Sequence, residues 1–423
     1  MYSLLFATLL VTQQLSIADS YIDPVNGLSW QQLVGLAKER QADLLAARQS
    51  IEIARGKLLQ SAARPNPTLS TEYTTQRLTT GEEEYDFSVE YSQTLELAHK
   101  RAKRRLVAEL DLERTQALYL YDEAKLITLI RQNMVEALAA VETLRTLELQ
   151  LQINEQMLEL TRTRLEAGDA SVLEQNLLKA ERERTKLLLV AAEARLKLAI
   201  SELKVLAGLE QATLRLKGDL SEYIKDFSTD LELLTQKAFA QRKDLQALKA
   251  AEKQAEAKLA LAKAEAIPDI IIFSRYSQDN SVFEDTPIGK LNDPDRSLSF
   301  GVSLQLPFFN RNRGHIAAEA ASAAQARYAL QAAKRQIVRA ISQALTQLET
   351  ASATLQLYEN TILPTMRQNL AILRTAYELG EQSLLDLLNE QRKLFEEERL
   401  YIEAIKQKAL ASIELELATG TTP

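Results

Sequence analysis

The sequence contains no cysteine among its 423 residues. This absence excludes disulfide bonds, zinc sites built from thiolates, and lipid attachment to an amino-terminal cysteine. Glycine and proline are scarce, with 12 and 9 residues, which favours long uninterrupted helices over a loop-rich fold. The formal net charge of -7 lacks the basic excess typical of a nucleic-acid-binding protein.

Long apolar runs are also missing: after the amino terminus, no stretch approaches the ~20 apolar residues that a transmembrane helix needs. The first residues differ, because an apolar run from Leu4 to Val11 precedes the small-residue segment Ser16-Ile17-Ala18. This order is typical of a secretory signal, although the usual basic residues before the run are absent. We expect residues 1–18 to be a signal peptide. The mature chain would then meet a membrane through strands or an amphipathic surface.

The sequence repeats itself with a period of about half the chain. The segment at 43–46 recurs at 244–247, and the glycine-containing segment at 165–174 recurs at 377–386. Two copies of one unit therefore describe the sequence better than independent domains do. The copies are residues 19–217 and 218–423.

Each copy has the same predicted order of elements: helix, strand, loop, strand, very long helix, short turn and shorter helix. The very long helices follow from apolar residues at a spacing of three to four in stretches rich in strong helix formers. A helix of about 67 residues forms a rod of roughly 100 Å, which needs lateral helix partners. A kink is expected at Pro364. The predicted elements are a helix at 29–64, strands at 68–78 and 86–97, and helices at 100–166 and 171–206, then a helix at 230–266, strands at 269–279 and 297–309, and helices at 313–378 and 383–417.

The second strand of each copy alternates between apolar and polar residues, the period-two pattern of a strand with one apolar face. The strands are near the ~9–11 residues that a tilted transmembrane strand requires. An apolar face outside and a polar face inside would match lipid and water. The alternative is a soluble sheet of two hairpins packed on helices. The residues expected to face lipid are Phe87, Val89, Tyr91, Phe300, Val302 and Leu304.

Four strands cannot close a pore, and open sheet edges are not tolerated in lipid. Other copies of the same chain would therefore have to pair with the edges. Bacterial barrels hold eight or more strands, so two or three protomers are the simplest solutions. Two and three protomers both satisfy these requirements.

Short motifs follow the second strand of each copy. They read SQTLELAHKR at 92–101 and LPFFNRNRG at 306–314, and glycine-centred turns recur at Gly168 and Gly380. With these motifs the chain resembles the TolC-like outer membrane factors over nearly its whole length after the signal. It is most similar to the branch that serves heavy-metal (cobalt–zinc–cadmium type) efflux.

The resemblance implies a mainly α fold with a small β part and a two-fold internal repeat. It also implies a homotrimer whose twelve strands form one β-barrel in the outer membrane and whose twelve helices form a periplasmic tunnel. The tunnel would meet a periplasmic adaptor protein and an inner-membrane pump. The protein would then be a passive duct rather than an enzyme.

The two interhelical turns are the expected periplasmic tips. A glycine ends each long helix, and a serine can cap the next helix through its side-chain oxygen. A plain helical hairpin turn would look the same, but the resemblance implies that the adaptor docks here. The expected docking residues are Gly168, Asp169, Ser171, Gly380, Glu381 and Ser383.

The resemblance also implies a ring of carboxylates near a constriction, on the helix after the second tip. The matching residue is Asp386, whereas a second aspartate of the family is replaced by Asn389. A trimer would then carry three charges in place of six, and these would favour cations. A solvated helix face is the alternative. Glu174, the counterpart of Asp386 in the first copy, is a weaker candidate.

The sequence shows no cluster of histidines or cysteines with metal-ligand spacing, no nucleophile elbow and no phosphate-binding loop. We therefore expect no cofactor, no resident metal and no catalysis. The basic run at 100–105 is too short for nucleic-acid binding, and we expect it near the boundary between membrane and periplasm. Alternatives are the same fold serving drug efflux or protein secretion, or a soluble coiled-coil scaffold or periplasmic adaptor.

Overall fold

The computed structural model describes residues 16–75, 78, 84–209, 214–283, 291–379 and 381–422. The chain divides into two compact units. The first, a helical unit, contains Met1–Ala47, Tyr119–Lys243 and Lys334–Pro423, and the second, a unit of helices and strands, contains Arg48–Leu118 and Asp244–Ala333. Most of the predicted signal peptide lies outside the described residues.

The elements follow one another twice in the same order, as expected of a two-fold repeat. Two short helices precede a pair of strands, and long helices follow in both halves. The elements of the first half are α1 (Trp30–Arg40), α2 (Ala42–Ser61), β1 (Thr68–Thr75), β2 (Tyr85–Leu95), α3 (Lys100–Glu166) and α4 (Val172–Ala207). Those of the second half are α5 (Leu231–Gln241), α6 (Lys243–Glu265), β3 (Ile270–Phe283), β4 (Leu291–Leu304), α7 (Arg313–Leu357), α8 (Leu363–Glu378) and α9 (Leu384–Thr419).

One-residue breaks divide the first helix of each half, which the sequence predicts as single helices over 29–64 and 230–266. The break between α1 and α2 is Gln41, and the break between α5 and α6 is Arg242. Both residues are extended, with ψ of 118° and 125°. Neither break contains glycine or proline, so the sequence carries no signal for it.

The breaks lie where another helix of the first unit ends. Gly208 and Gly420 end α4 and α9 in the left-handed conformation, with φ of 65° and 74°. A Cβ on Gly208 would lie 2.8 Å from the Cβ of Arg40, and one on Gly420 would lie 2.9 Å from the backbone nitrogen of Arg242. This close approach of two backbones is the physical reason for the glycines.

The predicted range 313–378 is helical throughout, with one irregular turn near the kink expected at Pro364. A π-helical turn, Tyr358–Ile362, joins α7 to α8 just before Pro364. Proline has no N–H for the carbonyl one turn earlier, and its ring crowds that carbonyl. A wider turn relieves this crowding, so the expected kink site carries a π-bulge.

The strands also differ in length from the predictions. β3 continues to Phe283, and β4 begins at Leu291 rather than at residue 297. β1 is described as far as Thr75, and residues 76–77 of its predicted range lie outside the described residues. β2 ends at Leu95 because Ala98 and His99 take positive φ values of 55° and 57° and turn the chain into α3. β4 ends at Leu304, shortly before Pro307, which cannot donate a hydrogen bond to a neighbouring strand.

The core of the first unit is built around one face of α3. Ile127, Ile130, Met134 and Leu138 follow one another at a spacing of three to four and are buried there. Residues from α1, α4, α9 and the segment after α4 pack against this face. They include Leu33, Leu196, Leu203, Leu216, Tyr223 and Ile413.

In the second unit the buried face of α6 consists mainly of alanines, among them Ala247, Ala250 and Ala257. Small side chains allow neighbouring helices to approach closely. Gln254 lies on the same face and donates a hydrogen bond to the carboxylate of Asp111 on α3 at 3.0 Å. This bond fixes α6 beside α3.

Candidate functional sites: the sheet face, the helical tips and Asp386

The four strands form one antiparallel sheet in the order β1-β2-β3-β4. Its register brings the apolar residues of both halves to the same face, since Val89 pairs with Tyr276 and Tyr276 pairs with Leu298. Most of these side chains are exposed in the single chain, including Phe300 at 77% and Val302 at 67%. The face comprises Leu69, Tyr73, Phe87, Val89, Tyr91, Leu95, Ile270, Ile272, Tyr276, Leu298, Phe300, Val302 and Leu304.

All six residues predicted to face lipid are on this face. Its members from β1 and β3 are not predicted from the sequence, because the alternation of those strands is less regular. Strand pairing assigns the residues of β1 and β3 to this face, because paired residues in neighbouring antiparallel strands point to the same side of a sheet. Leu69 pairs with Tyr91, and Ile272 pairs with Val302.

The opposite face is mainly polar. Arg275 donates to Glu90 across strands at 2.6 Å, and the hydroxyls of Ser277 and Ser297 lie 2.7 Å apart. Phe273 is an apolar exception, and its ring lies against the backbone of Gly301, where a Cβ would clash with it. One face is therefore suited to lipid and the other to water.

The first tip is the turn between α3 and α4. Gly168 has φ +86°, a left-handed conformation that favours glycine, and Asp169 donates its backbone N–H to the carbonyl of Arg164 at 2.8 Å. Ser171 caps α4 because its hydroxyl accepts from the backbone N–H of Glu174 at 3.2 Å. The turn therefore reverses the chain within a few residues.

The second tip joins α8 to α9, and Gly380 lies outside the described residues. Beside it, the backbone N–H of Glu381 donates to the carbonyl of Ala376 at 2.9 Å. Ser383 caps α9 by accepting from the backbone N–H of Asp386 at 3.2 Å. The described parts of the two tips thus share the same capping chemistry.

A contact that the sequence analysis missed joins the two hairpins behind the tips. Arg164 donates to the hydroxyl of Tyr377 at 2.8 Å, and its guanidinium lies 5.5 Å from the centre of that ring. Leu178, Leu384 and Leu388 form a small buried cluster beside this contact. Arg164 and Tyr377 are 213 positions apart, so no local sequence signal reveals the pair.

Farther from the tips, a layer of buried amides and a hydroxyl joins three helices. Asn154 on α3 donates to the hydroxyl of Thr185 on α4 at 3.0 Å, and Gln391 on α9 donates to Asn154 at 3.3 Å. The Thr185 hydroxyl in turn donates to the backbone carbonyl of Glu181 at 3.0 Å. Hydrogen-bonded polar groups of this kind fix the position of one helix against another.

Asp386 is exposed near the start of α9, and its carboxylate accepts a hydrogen bond from the Ser383 hydroxyl at 2.6 Å. Among the described residues, no cation pairs with it. Asn389 is also exposed, one turn along the same helix. Glu174 occupies the corresponding position in α4, where its carboxylate is 3.4 Å from the Ser171 hydroxyl. Asp386 and Glu174 thus belong to helix caps. In the single chain Asp386 is exposed and Glu174 is half-buried.

No group of three or more histidine, aspartate or glutamate side chains in the described ranges could hold a metal ion. His315 lies 3.7 Å from Glu265, and His99 is exposed. Within the same ranges, no helix combines the length and apolar character needed to cross a membrane.

The family described as "Outer membrane efflux protein" matches residues 33–209 and 234–421. The chain belongs to this family. The two matched segments fall within the two halves of the repeat. As an outer membrane efflux protein, it acts in transport at the outer membrane.

This efflux protein is similar to named relatives along nearly its whole length. It is 22% identical to the cobalt-zinc-cadmium resistance protein CzcC of Cupriavidus metallidurans, over 93% of this chain and 90% of that protein. The fold matches a structure of CusC with a TM-score of 0.77 and 18% identity, covering 92% of both chains. It matches the open state of the Neisseria gonorrhoeae MtrE outer membrane channel with a TM-score of 0.74 and 18% identity, covering 92% of this chain and 88% of that one.

Proposed function

We propose that this efflux protein is the passive, homotrimeric duct of a tripartite system that exports heavy-metal cations. Its strands would form a barrel in the outer membrane, and its helices would cross the periplasm to an adaptor protein and an inner-membrane pump. The largely apolar face of the sheet, whose edge strands among the described residues are β1 and β4, carries the proposal. Such edges need partners in lipid, and a second and third copy supply them.

A second exposed surface also supports assembly with further copies. Leu187, Val190, Leu198 and Val205 lie within one sector of α4 and are 72%, 67%, 68% and 63% exposed. An apolar stripe on one side of a long helix favours a lateral helix partner. In a trimer the stripe would pack against the neighbouring chain.

The cargo is proposed from the relative named for resistance to cobalt, zinc and cadmium. A passive duct needs few residues that recognise the cargo, because the pump selects the cargo and supplies the energy. The exposed carboxylate of Asp386 is consistent with passage of cations, since repeated negative charges in a narrow opening attract them.

Deletion of the gene tests the cargo, and fractionation tests the location. Loss of the protein should lower resistance to cobalt, zinc or cadmium, and the native protein should stay in the outer-membrane pellet after a high-salt wash. Unchanged metal resistance with increased sensitivity to drugs would reject the proposed cargo. Recovery in the soluble fraction would reject the duct.

Replacing Gly168 by valine should abolish export while the protein remains assembled in the membrane. At φ +86° a β-branched residue is strained by about 1–3 kcal/mol, although no atom lies within 4 Å of its Cβ position. The tip would distort to relieve this strain, and cross-linking to the adaptor should be lost.

Two further variants separate the backbone effect from bulk. Gly168→Asn should retain export, because asparagine tolerates the left-handed region. Gly35→Val should also be mild, since Gly35 lies in α1 with no neighbour within 4 Å and no positive φ. Normal resistance and cross-linking in the Gly168→Val protein would reject docking at this tip.

Replacing Asp386 by asparagine should weaken both cation selectivity and block by trivalent cations in single-channel recordings. Removing three charges from a narrow ring would raise the blocking concentration about tenfold. Asparagine can still accept the hydrogen bond from Ser383, so the helix cap is preserved. Asn389→Asp should have the opposite effect, because it adds a second ring of charge.

The control for Asp386 is Glu396→Gln, which removes an exposed charge farther along α9. Glu398, farther along the helix, is less suitable because it pairs with Arg367 at 3.1 Å. If the Asp386→Asn channel keeps its conductance, selectivity and block, Asp386 is only part of a solvated helix face.

A further inference from the structure

A notch of about 410 Å³ lies in the second unit, where β2 leads into α3. Arg64 and Arg101 line it, together with Pro65, Gln93, Leu95 and Glu96. The two arginines are exposed and lie at the same end of this antiparallel strand pair, Arg64 before β1 and Arg101 after β2. The basic run at 100–105 thus contributes to a concave site rather than to a flat surface.

Most cations of this run have internal partners. Lys100 pairs with Asp269 at 2.7 Å, Arg105 pairs with Glu109 at 2.8 Å, and Lys103 donates to the carbonyl of Ala98 at 3.0 Å. Arg104 pairs with Glu96 through two nitrogens. The one carboxylate that lines the notch is therefore already neutralised by a cation.

Arg64 and Arg101 differ from these cations. Arg101 donates only its Nε, to the carbonyl of Ala62 at 2.6 Å, and this bond orients the guanidinium. In the part of the chain that the structure describes, neither Arg64 nor the terminal nitrogens of Arg101 has a carboxylate partner. The notch therefore offers guanidinium donors that suit the oxygens of a phosphate group.

Apolar surface adjoins the notch. Leu95 lines it and is 43% exposed, and Leu69 on the neighbouring strand is 68% exposed. Both belong to the apolar face of the sheet. Gln93 is a polar interruption of that face and donates to the carbonyl of Pro65 at 2.9 Å, so the chain before β1 is held against β2.

We propose that this notch binds the phosphodiester headgroup of an anionic phospholipid in the inner leaflet of the outer membrane. The guanidinium groups of Arg64 and Arg101 would hold the phosphate, and the acyl chains would lie along the apolar face beyond Leu95. A ligand with a phosphate at one end and hydrocarbon at the other matches both parts of this surface. The inference rests on the proposed placement of the sheet in the outer membrane.

The test uses the full-length protein in neutral detergent and native mass spectrometry with three probes. Dioctanoyl phosphatidylglycerol carries both the phosphate and the chains, dioctanoylglycerol carries the chains alone, and inorganic phosphate carries the headgroup chemistry alone. Phosphatidylglycerol should bind at one site per chain, about tenfold more tightly than either other probe. Equal binding of inorganic phosphate would show a site for soluble phosphate and overturn the inference.

The Arg64→Gln, Arg101→Gln double variant should lose about tenfold in affinity for phosphatidylglycerol. Arg55→Gln with Arg105→Gln removes the same charge from two exposed ion pairs outside the notch and should change affinity little. Equal losses in both double variants would overturn the site. If the Arg101 change prevents folding, the Arg64→Gln single variant is used instead, because Arg64 makes no internal bond in the described ranges. This single variant should still bind phosphatidylglycerol more weakly than the wild type does.

Channel recordings in bilayers separate this inference from the proposed function. If the wild-type protein forms channels but shows no preference for phosphatidylglycerol, only the lipid site is rejected. If it forms no channel in any bilayer, the proposed duct is rejected, and the lipid site is rejected with it.

Discussion

Replacing Glu416 by glutamine is expected to lower the free energy of unfolding of the helical unit by about 3–5 kcal/mol. Glu416 near the end of α9 pairs with Arg131 on α3, and both side chains are only 2% exposed. A neutral amide would leave the Arg131 guanidinium buried beside the Trp30 ring, 5.2 Å away, without its carboxylate. A buried charge without a partner is among the largest single destabilising changes.

Replacing Arg131 should lower the free energy of unfolding by less than replacing Glu416 does. Arg131→Met leaves Glu416 with Lys225, whose ammonium lies 2.6 Å from the other carboxylate oxygen and is partly exposed. The double variant Arg131→Met, Glu416→Leu should recover much of the stability, because an apolar pair needs no compensation for lost hydration. Denaturant unfolding of the four proteins gives the coupling free energy as a double-mutant cycle. A Glu416→Gln protein as stable as the wild type would show that the pair contributes nothing.

The long helices could be predicted because their signal is local. Between Arg101 and Ala167 there is neither glycine nor proline, and α3 spans Lys100–Glu166. The period-two pattern of β2 and β4 is equally local, because the two faces of each strand have different surroundings. Family resemblance then added what spacing alone left open, namely membership among outer membrane efflux proteins.

The contacts that join distant segments could not be predicted. Arg131 and Glu416 are 285 positions apart, and the sequence presents each as one more charge on a helix. The breaks at Gln41 and Arg242 depend on the close approach of another helix end. Neither residue has a property that predicts this approach. The notch at Arg64 and Arg101 likewise depends on the pairing of β1 with β2.

Replacing Val302 by arginine is expected to prevent insertion of the sheet into the outer membrane. Val302 is 67% exposed on the apolar face and pairs with Ile272, so a charge there would enter the surface proposed to face lipid. Near the middle of the bilayer the cost is roughly 2–4 kcal/mol per chain. Each of three chains would carry it. The amount of heat-modifiable trimer in the outer-membrane fraction measures the effect.

Ser303→Arg is the matched control, because Ser303 is the next residue of β4, is also exposed, and points to the polar face. Ser88 beside Val89 is a poorer control, since only 9% of its surface is exposed and an arginine there would be crowded as well as charged. In water the Ser303→Arg side chain keeps its hydration, so trimer should form at nearly the normal level. Equal loss, or equal tolerance, at Val302 and Ser303 would mean that the two faces have the same surroundings. Neither result is compatible with a sheet that separates lipid from water.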